Sequence, residues 1–286
     1  MAVSPPTVLT IAGFDPSSGA GVTADIKTIA AHECYGVSCI TALTVQSTLG
    51  VRRVEPVDPK VIADTLRGLI SDMVVDAVHI GMLGNERVVA AVADFLAEAR
   101  LPHVVLDPIL KSSSGADLLD AAGMRLMIER LLPLAELVTP NLDEAATLSG
   151  GSVTTLDEMR TAALRLHSLG AANVVVTGGH LEKAIDLLSF TVAHGVETEI
   201  FKAERLRSNS THGTGCAFAT ALACHLAHGR GLPEAVLLAK VYVSAAIANA
   251  HPVGKGVGPL HHLYRMTQQR RTSSSFPEAE HAQSRN

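Results

Sequence analysis

Short apolar runs alternate with longer amphipathic ones along most of this chain. Val8–Gly13, Ser38–Gln46, Ala77–Met82, His103–Asp107, Leu137–Thr139 and Asn173–Gly178 are nearly continuous in apolar residues. Runs of this length and character predict strands covered on both faces. Between them, apolar spacing predicts helices at about 21–34, 59–72, 86–99, 118–132, 142–149 and 155–169. Pro59 stands just inside the second helix, a favoured starting position, and Gly170 stands where a C-terminal cap belongs. Strand–helix alternation predicts an α/β fold with a mostly parallel central sheet and right-handed crossovers. The rhythm breaks at 184–202. There Ala184–Phe190 and Glu197–Lys202, joined through His194-Gly195, predict an antiparallel hairpin at the sheet edge. Two more helices follow, at about 214–228 and 233–250. No repeat or linker interrupts the pattern, so residues 1–266 are expected to form one domain. The polar stretch Thr267–Asn286, with Ser273-Ser274-Ser275, is expected to be a disordered tail.

Composition narrows the classes. Hydrophobic residues make up 47% of the 286 residues, enough for one large core. The formal net charge is −5, and no basic block interleaves with aromatics, so nucleic acid is not expected as a partner. Cys34, Cys39, Cys216 and Cys224 form no C-x-x-C pair, which suits reduced thiols better than a disulfide framework. The opening MAVSPPTVLTIAG lacks the basic region and apolar run of a signal peptide. No uninterrupted apolar stretch reaches the ~18 residues of a membrane span. A cytoplasmic location and no membrane partner are therefore expected.

Open α/β sheets bind ligands beyond the carboxyl ends of their strands. In this chain those positions hold Gly13-Phe14-Asp15, Gln46, Met82, Asp107-Pro108, Thr139-Pro140-Asn141 and Thr177-Gly178-Gly179. The segment Thr211-His212-Gly213-Thr214-Gly215-Cys216 precedes a helix of small residues. Its glycines let the backbone curl round an anion, and the helix start offers free N–H groups and the positive end of the helix dipole. An ordinary glycine turn explains the same residues. Cys216 lies where a helix N-terminus would lower a thiol's pKa, although an isolated Cys is more often a small buried hydrophobe. Gln46 ends an apolar strand, and its carboxamide offers an acceptor beside a donor. A strand-end amide bonded to a loop is the plainer account. His225 and His228, near the end of a predicted helix, suit an interaction with its C-terminal dipole.

These segments, with AGFDPSSGAGVTADIKT (12–28), ITALTVQSTLGV (40–51), IGML (80–83), VVLDP (104–108), TPNLDEA (139–145), GGH (178–180) and VGKGVGPLHH (253–262), occur in the order found in one family. From about residue 7 to 265 the chain resembles the hydroxymethylpyrimidine/phosphomethylpyrimidine kinases of thiamine biosynthesis, members of the ribokinase superfamily. The resemblance implies a ribokinase-like three-layer α/β/α fold, ATP and Mg²⁺ as cofactors, and a small-molecule pyrimidine as substrate. A homodimer is the expected assembly.

The resemblance also implies roles. Cys216, at the position of the catalytic-base Asp in most ribokinase-type enzymes, is the expected general base. The amides of Gly213, Thr214, Gly215 and Cys216 are the expected anion hole. Gly13, Asp25, Thr44, Gln46 and Met82 match positions around the substrate. Asn141 and Glu144 form the N-x-x-E pattern that organises Mg²⁺ and phosphate, with Asp107 sharing the task; Glu144 as a plain first-turn acid is the alternative. Thr177 and Gly178 lie on the nucleotide side. Family members commonly carry Lys at the position of Thr177, which leaves Lys255 or Lys111 as candidate sources of charge. Two other functions are compatible with the scaffold, a pyridoxal-type kinase and a non-catalytic pyrimidine-binding module.

Overall fold

The computed structural model of the chain describes residues 4–179, 184–204, 206 and 208–266. The expected tail at 267–286 and His180 of the GGH segment lie outside the described residues. The elements follow the sequence pattern closely. Strand β1 (Thr7–Phe14) leads to α1 (Gly21–Ala31), then to β2 (Tyr35–Ser47), β3 (Gly50–Pro56) and α2 (Pro59–Asp72). Strand β4 (Ala77–Ile80), α3 (Glu86–Ala99), β5 (Val104–Leu106), α4 (Ala121–Leu126), β6 (Leu137–Val138), α5 (Leu142–Ser149) and α6 (Leu156–Ser168) follow. The chain continues through β7 (Asn173–Gly178), β8 (Ala184–Val192), β9 (Gly195–Ala203), α7 (Thr214–Ala227) and α8 (Leu232–Ala248).

One sheet runs in the order β3-β2-β1-β4-β5-β6-β7-β8-β9. Its centre, β2 to β7, is parallel, and both margins are antiparallel. Helices α2 to α6 cover one face around Ile62, Val92, Met127, Leu148 and Met159. Helices α1, α7 and α8 cover the other around Ile29, Leu222, Val236 and Tyr242. The three layers match the expectation.

Local chemistry sets the helix starts. Pro59 stands at the start of α2 behind Asp58, whose carboxylate accepts the Lys60 amide at 2.8 Å. Helix α6 opens with a capping box in which Thr155 and Glu158 satisfy each other's backbone amides.

Two differences from the expectation have physical causes. Strand β3 was not among the predicted strands. It is an edge strand of Val51, Arg52, Arg53, Val54 and Glu55, and its charges hide the alternation while guarding the open edge. The helix expected over 118–132 starts only at Ala121, where Asp120 caps it, and after Leu126 it widens into a π-turn over Met127–Leu131. Pro133 then permits only a short 3₁₀ turn.

The layer between the sheet and α7 is built on small residues. Ala217, Ala219, Ala221 and Ala223 are all buried, which lets α7 lie close to β1, β4 and β5. His225 does not meet the α7 C-terminal dipole as a cation. Burial, aided by His32 and His228, lowers its pKa to about 4, so it is neutral and packs edge-on against His32 at 4.9 Å.

Candidate functional site

The sheet order reverses between β1 and β4, and the predicted residues gather at the carboxyl ends of these strands and their neighbours. At the end of β1 the chain passes so near Met82 that a Cβ on Gly13 would lie 2.9 Å from its Sδ. Met82 is buried there with Ala42 and Leu118. The loop after β1 is organised by Asp15. One carboxylate oxygen accepts the Ser17 amide (2.8 Å) and hydroxyl (2.7 Å). The other accepts the amides of Gly19 (3.2 Å) and Ala20 (2.9 Å) and His212 Nε2 (2.8 Å). Burial by itself would raise this carboxyl's pKa, but the His212 and Ser17 hydrogen bonds outweigh it and hold the group below its usual range. Lys27 closes the same loop by donating to Ser18 O at 2.7 Å.

Thr44 donates to Phe14 O at 2.9 Å and lies 3.1 Å from Gln46 Oε1. Gln46 Nε2 lies 3.1 Å from His212 Nε2. Gly13, Thr44, Gln46 and Met82 thus come together with Asp15 and His212. Asp25 takes a different place. Its side chain has no exposed surface and accepts from the hydroxyls of Thr10 (2.7 Å) and Thr220 (2.9 Å), with His79 against both. It therefore orients polar groups between β1, β4 and α7, and reaches a ligand only through them.

The Gly213–Cys216 segment, the expected anion loop, meets the loop after β1 at Gly19. Gly213 has φ +80°, and a Cβ there would lie within 1.9 Å of Gly19 O, so only glycine lets the two loops meet. No side chain caps the start of α7, where the Thr214 amide donates to Thr211 O at 3.3 Å. A Cβ on Gly215 would lie 3.6 Å from Asp107 Oδ2, which puts that carboxylate beside the loop. Thr214 is turned back, its hydroxyl donating to Thr211 O at 2.7 Å. Gly213→Ala is expected to lower activity at least about 100-fold in a protein with native circular dichroism, because the anion loop must open to admit a methyl group. Steady-state rates within threefold of wild type would separate Gly213 from the loop's function.

Cys216 corrects a sequence expectation. The helix start does not lower its pKa in the ligand-free protein. Burial raises it well above the usual thiol range, and Asp107, Asp25 and Glu144 add to the rise, against which the Gly21 backbone hydrogen bond is too weak. Cys34, Cys39 and Cys224 are buried and unpaired in disulfides, as expected.

Asn141 and Glu144 form a capping box at α5, each accepting the other's amide at 2.9 Å. The helix-cap reading of Glu144 is thus present, but the carboxyl is also buried and its pKa is raised to about 7, with desolvation the main cause. Asp107 is raised well above its ordinary value by burial, then by Glu144 and Asp25. Neither carboxylate has an ion-pair partner among the described residues. Two buried, mutually repelling carboxylates beside an anion loop suit Mg²⁺, which takes few protein ligands and fills its shell with water and phosphate. Among the described residues no three His, Cys, Asp or Glu are grouped to hold a metal unaided.

Because Glu144 is raised in the folded state, its ionised form opposes folding above about pH 7, and this cost disappears below its ordinary pKa. Glu144→Gln should therefore stabilise the protein by about 1–3 kcal/mol at pH 8 and lose most of this advantage near pH 5. Thermal melts of both proteins across this range test the sign. Equal melting temperatures at pH 8 would contradict it.

Thr177 bonds through its amide to Pro140 O (2.9 Å) and pairs with Asn141, which joins the nucleotide-side residues to the N-x-x-E turn. Opposite Thr177 on β8 stands Asp186, which accepts the Gly178 amide at 3.1 Å and the Lys240 ammonium at 2.6 Å. Among the described residues, Lys240 is tied to position 177 through Asp186. Of the two sequence candidates, Lys111 is exposed and faces Asp117 at 3.6 Å, and Lys255 is exposed on a loop tied to Thr48 through Gly256 and Val257. The missed residues were visible only as anomalies, Lys240 in LLAKVYV and Asp186 in AIDLLSF, single charges inside apolar runs.

Residues 15–261 match the model of the phosphomethylpyrimidine kinase family. The chain is 45% identical over 259 residues to the thiamine biosynthesis bifunctional protein ThiED of Geobacter sulfurreducens, covering 90% of this chain and 52% of that one. It thus spans about half the length of that two-part protein. It is 41% identical to a hydroxymethylpyrimidine/phosphomethylpyrimidine kinase of Streptomyces coelicolor, covering 91% and 95% of the two chains. Among solved structures, an ADP complex of Bacillus subtilis pyridoxal kinase superposes with a TM-score of 0.83 at 35% identity, over 92% of this chain and 100% of the other. Matched by that family's model over most of its length and by a full-length relative at 41% identity, this chain belongs to the phosphomethylpyrimidine kinase family.

Proposed function

We propose that this protein transfers the γ-phosphoryl group of ATP to the hydroxymethyl group of 4-amino-5-hydroxymethyl-2-methylpyrimidine, and then phosphorylates the monophosphate to the pyrophosphate. The observation that carries this reading is the meeting of Gln46, Met82 and Gly13 on one side with the Gly213–Cys216 loop and the Asp107–Glu144 pair on the other. Gln46 presents an acceptor and a donor to the aminopyrimidine edge, and Met82 covers the ring. The amides at the α7 start receive the moving phosphoryl group, where charge is spread over its oxygens. Asp107 and Glu144, with Asn141 holding Glu144 in place, would hold Mg²⁺. Bound there, it would supply positive charge to phosphate oxygens and offset the two carboxylates. Thr177 and Gly178 line the nucleotide side, where the Lys240–Asp186 pair stands in place of a strand-end lysine. Cys216 accepts the hydroxymethyl proton as its thiolate, the thiol's own proton having first passed to solvent. Because the hydroxymethyl proton leaves late when phosphoryl transfer is loose, the thiolate is needed only as the phosphoryl group arrives.

A homodimer fits Leu43 and Val45, exposed on the strand that carries Gln46, and Leu49, exposed in the turn after it. Among the described residues no helix is long and apolar enough to cross a membrane, and a cytoplasmic enzyme suits its proposed soluble substrates.

The deciding experiment supplies Mg·ATP with the pyrimidine alcohol, its monophosphate or pyridoxal, and follows ADP release and phosphorus NMR. Phosphorylation of both pyrimidines is expected. The solved pyridoxal kinase neighbour gives the second reading substance, and a kcat/KM higher for pyridoxal than for the pyrimidine would adopt it. ATP hydrolysis or transfer to neither would reduce the protein to a binding module. Gln46→Leu should weaken pyrimidine binding by about 1–3 kcal/mol, the cost of an unpaired buried polar edge. Calorimetry showing unchanged affinity would remove Gln46 from the pocket.

A further inference from the structure

We infer that Asp15 and His212 lock the Gln46 carboxamide in one orientation, and that this lock lets the site tell an amino-substituted ring edge from its oxo counterpart. The lock deepens the proposed pyrimidine site, since it presupposes that Gln46 contacts the ring.

Counting hydrogens settles the orientation. Asp15 accepts three backbone amides and one hydroxyl, so it is an ionised acceptor, and His212 Nε2 at 2.8 Å must carry the hydrogen between them. This holds whether the imidazole is neutral or charged. The Gln46 atom 3.1 Å from the same Nε2 must then be an acceptor, its Oε1, because two N–H donors would otherwise face each other. Thr44 points to the same answer. Its one hydroxyl hydrogen is better placed on Phe14 O, at 2.9 Å against 3.1 Å to the Gln46 carboxamide, which leaves a lone pair toward Gln46 and puts the amide nitrogen on that side. The oxygen and nitrogen of an amide are told apart by their partners, and both partners select the carboxamide turned with its oxygen to His212 and its nitrogen to Thr44.

The consequence is specificity. A 4-aminopyrimidine edge shows a ring-nitrogen acceptor beside an amine donor. Its 4-oxo counterpart shows the reverse, a ring N–H beside a carbonyl. A carboxamide free to turn about its broad terminal torsion serves either edge. A carboxamide held at both ends serves one, and the other edge meets donor against donor and acceptor against acceptor. Asp15 and His212 are thus positioning residues, acting through Gln46.

The test measures affinities of 4-amino-5-hydroxymethyl-2-methylpyrimidine and its 4-oxo analogue by calorimetry without nucleotide. Wild type should prefer the amino compound by about 100-fold or more, as sites built to pair polar groups do. In His212→Leu the ratio should fall to within about tenfold, chiefly because the oxo compound gains. Asp15→Asn should act in the same direction, since an amide at 15 no longer requires the hydrogen on Nε2. It is the second measurement if the leucine variant does not fold. His212→Gln, which keeps an N–H donor, should retain most of the ratio. Two results overturn the inference. One is an unchanged ratio in folded His212→Leu or Asp15→Asn while Gln46→Leu abolishes it, which leaves Gln46 in the pocket but unlocked. The other is an unchanged ratio in Gln46→Leu, which removes Gln46 as the reader of the edge and takes the lock with it.

Discussion

Cys216→Ala is expected to lower kcat by about 10²–10⁴-fold, the usual worth of a positioned acid–base group, while leaving pyrimidine affinity within about threefold. The thiol is buried at the start of α7, takes the Gly21 backbone hydrogen bond and lies in the field of Asp107, Asp25 and Glu144. Removing the sulfur deletes the proton acceptor but leaves Gln46, Met82 and the anion loop in place, so binding and turnover should separate. Mg²⁺ should also matter more than usual, since, bound by Asp107 and Glu144, it would offset two of the three carboxylates that, after burial, keep the thiol protonated. The measurement is single-turnover kinetics with saturating Mg·ATP, beside calorimetry of the pyrimidine. Turnover within twofold of wild type would remove Cys216 from the mechanism and pass its role to Asp107, the buried carboxyl beside the same loop.

Lys240→Met is expected to destabilise the protein by about 3–5 kcal/mol, since it leaves Asp186 buried without its cation, and to lower Tm by roughly 5–15 °C. Both side chains are almost fully buried, 10% and 8% exposed, and their 2.6 Å contact is the only ion pair among the described residues buried in this way that joins Lys to a carboxylate. Most of the loss is the penalty of the orphaned carboxylate rather than the net worth of the pair. The double variant Lys240→Met with Asp186→Asn should therefore recover most of the stability, because the amide oxygen still accepts the Gly178 N–H and no charge is stranded. The KM for ATP should rise in both, as a cation beside position 177 is lost. A single variant that melts within 2 °C of wild type would show that Asp186 finds water or another cation. A KM for ATP that does not change would separate the pair from the nucleotide.

The elements themselves could be read from the sequence because each rests on local chemistry. Helices α2, α3 and α5 and strand β7 begin and end where apolar spacing and turn residues place them, and Pro59 and Gly170 mark two helix limits through backbone restrictions that need no tertiary partner. The hairpin of β8 and β9 was likewise legible from its alternation and its short turn. The glycines of the anion loop were legible as well, since a left-handed residue followed by a helix start is a local signal. Strand β3 and the π-turn in the 121–134 region were not. An edge strand owes its pairing to β2, and its charged residues carry no apolar alternation. The widened turn follows from how Met127 and Leu131 pack into the core.

The chemistry of the site divided in the same way. Residue types at the strand ends pointed to Gln46, Met82, Asp107 and the 213–216 segment, and the resemblance supplied their roles. Tertiary structure alone decided the protonation and partners of those groups, because burial and charge at one position are set by residues far away in the chain. Cys216 begins a helix, yet burial, aided by three carboxylates contributed by the end of β5, α1 and α5, reverses the local effect on its thiol. Glu144 caps a helix, a short-range role, and is raised chiefly because the fold buries it. His212 meets Asp15 across 197 positions, and Lys240 meets Asp186 across 54, pairings that no local pattern encodes. Spacing along the chain determines which way a side chain starts out; what stands at the other end is decided by the packing of the two helical layers against the sheet.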